Sequence, residues 1–172
     1  MQNAYPRKVD LLRRLLKLLH EIGAVGVVGS FAACLVLVAG APAPSRSLIA
    51  YAAVRQDIAS ISRWLLVPSL ALVLISGLLA IAANEGYKNA AWAWIKALLG
   101  VSMFEGTLLT VGASARRAAE LSALAVSGRG DGAELAQVLH TEWGGLWLLL
   151  GLSIVNIILA VWRPRFYRRR DL

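Results

Sequence analysis

The sequence predicts an all-α fold: an integral membrane four-helix antiparallel bundle whose helices project beyond the bilayer. Three observations carry that expectation. Of the 172 residues, 58% are hydrophobic and only 16% charged, against about 25% charged in ordinary soluble domains, and the mean hydropathy is positive. Four segments are long and apolar enough to cross a bilayer core, which takes about 20 residues of helix. Clusters of turn-forming residues separate them.

The first segment, residues 22–45, has no ionisable side chain except Cys34, and its apolar part ends near Ala41. It is too long for a cleaved signal peptide, it begins well inside the chain, and three more spans follow, so it reads as a permanent helix. Residues 64–84 and 143–162 carry no formal charge. Residues 90–111 are equally apolar but are interrupted by Lys96 and Glu105. The expected spans are therefore about 20–41, 64–84, 90–111 and 143–162, in a single membrane domain covering residues 1–172. Gly40-Ala-Pro-Ala-Pro44-Ser, Asn84-Glu-Gly86 and Ser127-Gly-Arg-Gly-Asp-Gly132 break the chain between them. The stretches between these breaks exceed what a bilayer needs. Residues 51–63, 113–126 and 134–142 should extend the helices out of the lipid on one side.

Four spans put both termini on the same side. That side carries Arg7, Lys8, Arg13, Arg14, Lys17, Lys88, Arg163, Arg165, Arg168, Arg169 and Arg170; the other carries Arg46, Arg55, Arg63, Arg116, Arg117 and Arg129. Eleven against six places the termini in the cytoplasm, as expected for a multi-pass protein of a bacterial cytoplasmic (inner) membrane. The net charge of +8 then belongs to basic ends lying on anionic lipid headgroups, and nucleic acid is not an expected partner. Trp92, Trp94 and Trp162 fall at the cytoplasmic interface and Trp64, Trp143 and Trp147 at the outer one, as interfacial indoles should. Gly23, Gly26, Gly29 and Ser30 on helix 1, and Gly144, Gly145 and Gly151 on helix 4, suggest close helix contacts in lipid. Pro68 should kink or cap the outer start of helix 2.

Few groups in the apolar stretches can carry chemistry. His20 sits at the cytoplasmic mouth of helix 1, where a neutral imidazole can ligate haem iron or another metal. It can equally bond to headgroups, water or Glu21. Lys96 lies at a comparable depth in helix 3. It can meet a propionate or a substrate carboxylate, or simply snorkel to the headgroups. Glu105 lies near mid-bilayer, where acids are costly and usually face protein or a water-filled cavity. Nine residues at about 100° each put it on the face of helix 3 opposite Lys96, so one of the two should point toward a partner subunit or a separate cavity. Ser102 shares its face. A proton-relay role and a protonated structural role are both open for Glu105. Asn156 reads as interhelical glue, and Cys34 as a small apolar filler. His140, Glu142, Asp131 and Glu134 read as a solvated acidic surface just before helix 4, or as a weak metal site.

A lone cysteine excludes an intramolecular disulfide framework. There is no GxSxG, P-loop, HExxH or dinucleotide fingerprint. With only His20 and His140, on opposite sides, an intrachain bis-histidine haem is excluded. No catalytic constellation is recognisable.

Phe104-Glu105-Gly106-Thr107-Leu108, Ser114-Ala-Arg-Arg117, Glu142-Trp143-Gly144 and Trp162-Arg163-Pro164-Arg165 resemble an uncharacterised bacterial four-helix integral-membrane family. Lys17 with His20, Arg63 with Pro68 and Gly77-Leu-Leu, and Trp94-Ile-Lys96 are similar, more distantly, to the quinone-linked, membrane-embedded protoporphyrinogen oxidase family. The latter resemblance implies a haem b site, with His20 as axial ligand and Lys96 as its functional partner. The expectation is therefore a haem-binding or redox-linked membrane protein. The alternatives are a non-catalytic subunit or homo-oligomeric scaffold of a membrane complex, and a proton-linked transporter or channel subunit using Glu105.

Overall fold

The computed structural model describes residues 5–162, with side chains from Asp10 onward. Arg7, Lys8 and the basic tail from Arg163 lie outside the described residues. The described residues are mostly helical and contain no strand. Four long helices dominate: α1 (Tyr5–Gly40), α2 (Leu48–Ala82), α3 (Ala91–Val126) and α4 (Gly132–Trp162). All four are long and apolar enough to cross a membrane. A single helical turn, Glu85–Lys88, sits in the α2–α3 connection. The protein is thus a multi-pass membrane bundle with up-down-up-down connectivity.

The breaks act through local chemistry. Ser47 caps α2, its hydroxyl accepting from the Ala50 amide at 3.3 Å. Asp131 caps α4, its carboxylate accepting from the Ala133 and Glu134 amides at 2.9 and 3.1 Å. Both satisfy donors that a helix start leaves without partners. Gly128, at φ +74°, ends α3 in the left-handed conformation that glycine adopts without strain. Pro68 has no amide hydrogen to give the helix. The turn before it, Ser62–Leu66, widens into a π-helical segment, and Val67 donates to the Ser62 carbonyl. A second π segment, Thr107–Gly112, lies beside it in α3.

One difference from the sequence reading concerns α1, which starts at Tyr5, far before the apolar stretch. Its leucine-rich start favours helix, and Arg13 reaches across to the Ala83 carbonyl at the end of α2 (3.5 Å).

Each helix packs on its chain neighbours: α1 along the Val67–Ala82 half of α2, α2 against both ends of α3, and α3 along α4, with a lighter α1–α4 contact. The α1–α2 approach depends on missing side chains. A Cβ at Gly23 would stand 2.8 Å from Val73 Cγ2, and one at Gly26 would overlap Ser69 Oγ. Gly145 does the same for α3–α4, its notional Cβ 3.0 Å from Thr110 Oγ1. Gly29, Gly144 and Gly151 face open space. The best-filled interior (Val27, Phe31, Cys34, Ile58, Leu66, Leu70, Met103, Val111, Leu146 and Leu149) lies toward the end carrying the α1–α2 and α3–α4 loops.

Exposed tryptophans mark two levels. Trp64, Trp143 and Trp147 lie on one, Trp94 and Trp162 on the other. Fifteen residues of helix separate Trp147 from Trp162 and nineteen separate Trp143 from it, about 23–29 Å at 1.5 Å per residue. That matches a hydrocarbon core of about 30 Å. Beyond the Trp64 level, the first sixteen residues of α2 and the end of α3 form a projecting head.

Candidate functional site

Three sets of polar groups interrupt the apolar bundle. At the end that carries the termini, α1 turns His20 toward α2. Its Nδ1 lies 3.0 Å from the Val73 carbonyl and 3.2 Å from Ser76 Oγ, and Cε1 lies against Gly77. Ser76 itself donates to the Leu72 carbonyl at 2.6 Å. A carbonyl accepts only, so Nδ1 carries a proton, and in the neutral ring Nε2 keeps its lone pair. Seven residues separate Gly77 from Asn84, so His20 sits about 10 Å inside that end, deeper than the mouth position the sequence suggests.

Lys96 turns toward α4, where Nζ donates to the Asn156 carbonyl at 2.9 Å. Asn156 thus ties α4 to α3 through its main chain. His20 and Lys96 share no hydrogen-bond partner. Glu105 is exposed on the outer face of α3, as is Ser102. It stands eleven residues, about 17 Å, from Trp94, well inside the band between the two tryptophan levels.

The third set lies in the head. Arg55 of α2 and Glu142 of α4 form an ion pair, Arg55 Nη2 donating to Glu142 Oε2, with each side chain only 1% exposed. Arg55 Nε and Glu142 Oε1 have no partner among the described residues. The pair lines an open cleft of about 480 Å³, walled by the α1–α2 loop, Tyr51, His140 and Trp143. The cleft lies over this buried pair, and the rest of its wall is largely apolar and aromatic.

Glu142 corrects the sequence reading, which set it on a solvated acidic surface. The remainder of that surface is real. Glu134 is half-buried and pairs with Arg117 at 2.6 Å, and Asp131, which is exposed, caps α4. Glu142 is drawn inside because it shares the stripe of Gly145, Leu146, Leu149 and Ser153, all buried. Arg55 shares a stripe with Tyr51, Ile58 and Ala59. Helical spacing from apolar neighbours was the available signal for both. Among the described residues, no group of three His, Cys, Asp or Glu is placed to hold a metal ion.

No family model, no curated protein and no solved structure matches this chain.

Proposed function

We propose that the chain is a subunit of a larger membrane assembly, and that its first partner is a second copy of itself docked along α3. The observation that supports this reading is the outward-facing Glu105. A carboxyl group held in hydrocarbon costs several kcal/mol unless another group receives it, and among the described residues none pairs with it. It lies on a continuous exposed stripe with Leu98, Val101, Ser102, Leu108 and Leu109. The spacing of three and four residues is that of a helix-pairing seam. Two copies inserted the same way meet about an axis along the membrane normal, so residues of equal depth face each other. Glu105 of each copy then stands beside Glu105 of the other, with the partner's Ser102 one turn away to donate to it. The natural setting is a bacterial cytoplasmic membrane with both termini in the cytoplasm, which the eleven-to-six basic asymmetry favours.

The test is disulfide trapping in native membranes. In a Cys34→Ala background, Leu109→Cys should give a crosslinked dimer, and Val36→Cys, equally exposed but on α1, should not. Glu105→Gln should keep the dimer and Glu105→Leu should weaken it roughly three- to tenfold, the worth of one or two interhelical hydrogen bonds in lipid. A chain that stays monomeric in mild detergent and gives no Leu109→Cys crosslink refutes the reading.

A second reading is favoured by His20. An imidazole fastened at Nδ1 to a backbone carbonyl is the arrangement in which histidine ligates a metal through Nε2. His20 would hold haem b through Nε2, and Lys96 at a comparable depth would meet a propionate. Bound haem would give the protein one-electron chemistry; the chain's own contribution is the fixed ring. Purified protein loaded with haem should then show a Soret band that His20→Ala abolishes. No band, or a band indifferent to that change, removes this reading.

A further inference from the structure

Between the two π-helical segments, α2 and α3 leave a pocket of about 100 Å³ with Ser62 at its base and Arg63 and Arg116 at its rim. Seven hydroxyls elsewhere in the bundle donate to the carbonyl four residues back: Ser30, Ser60, Ser76, Thr110, Ser122, Thr141 and Ser153. That bond is the usual fate of a helical serine away from water. Ser62 departs from it. The side chain is 2% exposed, yet Oγ has no hydrogen-bond partner among the described residues. A buried hydroxyl left in this state costs free energy until something reaches it.

The floor of the pocket is kept open by Gly112. A Cβ there would stand 3.7 Å from Ser62 Oγ and 3.1 Å from the Thr107 carbonyl. At the mouth, neither Arg63 nor Arg116 has a carboxylate partner among the described residues. Arg63 lies over the Trp64 ring, 4.9 Å from its centroid, which fixes the pocket at the tryptophan level where lipid headgroups sit. Two like-charged side chains line one small opening that also holds a hydroxyl without a partner among the described residues. π-helical turns often mark sites where a helix is shaped for a ligand.

We infer that this pocket binds a phosphate group, with Arg63 and Arg116 neutralising its charge and the Ser62 hydroxyl donating to one of its oxygens. The arginine fork matches phosphate geometry, and the volume admits one tetrahedral anion rather than an extended molecule. The phosphate comes either from a lipid headgroup of the adjacent leaflet or from free phosphate. The site is separate from the Arg55–Glu142 cleft and borders the proposed α3 seam, with which it shares Leu108.

The experiment uses the full chain, delipidated in a neutral detergent. One arm titrates radiolabelled inorganic phosphate by equilibrium dialysis. The other measures, by native mass spectrometry, retention of phosphatidylglycerol against a neutral diacylglycerol. Binding in either arm should fall at least roughly tenfold in the Arg63→Gln/Arg116→Gln double variant, each charged hydrogen bond contributing at that scale. It should also fall in Gly112→Ala, which narrows the floor, and in Ser62→Ala. Arg117→Gln, already paired with Glu120 and Glu134, should bind as wild type. Helix content by circular dichroism checks each fold, and Ser62→Ala stands in if Gly112→Ala misfolds. Binding in the first arm assigns free phosphate; binding in the second alone assigns the lipid headgroup. No binding in both arms, or binding that Ser62→Ala and the double arginine variant leave unchanged, overturns the proposal.

Discussion

Removing either member of the Arg55–Glu142 pair should destabilise the bundle far more than removing both. With Glu142→Ala, a guanidinium that is 1% exposed loses its counter-ion and keeps no compensating solvent. Breaking a buried pair from one side costs about 3–5 kcal/mol. That is a large share of the 5–15 kcal/mol that typically separates folded from unfolded chains. The Arg55→Leu/Glu142→Leu double variant replaces both charges with apolar volume among Ile58, Leu146 and Leu149, and should return to within about 1 kcal/mol of wild type. Cys34 provides the assay. It is the one cysteine in the sequence and is 0% exposed, so a thiol-reactive fluorophore reports unfolding directly. Its labelling against denaturant in detergent gives all four corners of the double-mutant cycle. A single variant losing less than about 1 kcal/mol would show that water reaches the pair. A double variant less stable than either single would show that the charges are net stabilising. Either result refutes the reasoning.

Other outcomes follow from the packing. Gly23→Ala should destabilise by about 1–3 kcal/mol, because its Cβ meets Val73 and the Ser69 carbonyl and the helices must part; Gly29→Ala, facing open space, should stay within about 0.5 kcal/mol in the same unfolding assay. Phe31→Ala, at 0% exposure in the main apolar cluster, should cost about 3–5 kcal/mol. Lys96→Met should leave the fold intact, since an apolar side chain of similar length replaces a charge that holds only a backbone carbonyl; loss of folded protein on size exclusion would contradict this.

The architecture was legible because it follows from a local quantity. Apolar runs, turn clusters and tryptophan positions are counted along the chain, and hydrocarbon forces every run long enough to cross it into a helix that satisfies its own backbone. The projecting head was legible too, from helices longer than lipid requires. Of the candidate groups, Glu105 is exposed and Lys96 half-buried on α3. His20 and Lys96 lie at one level, but their hydrogen bonds go to Val73 and Asn156 rather than to one another. Nothing along the chain distinguishes these partners, because a backbone carbonyl carries no sequence signature. The glycine stripes show the same limit. Gly23, Gly26 and Gly145 sit at close approaches and Gly29, Gly144 and Gly151 do not, though composition treats them alike. Glu142 looked like one more surface acid because its sequence neighbours in 131–142 are polar; its burial depends on Arg55, 87 residues away.

The chain alone determined that four helices form, that lipid is their solvent, and where each one turns back. Those outcomes depend on hydrophobicity and hydrogen bonding within a single segment. Tertiary structure alone decided which polar groups are enclosed together: Arg55 with Glu142, His20 with the Val73 carbonyl, and Ser62 with an arginine-rimmed pocket and no partner among the described residues. A helix offers each side chain one direction, and only the rotation and crossing of its neighbours settle what waits there.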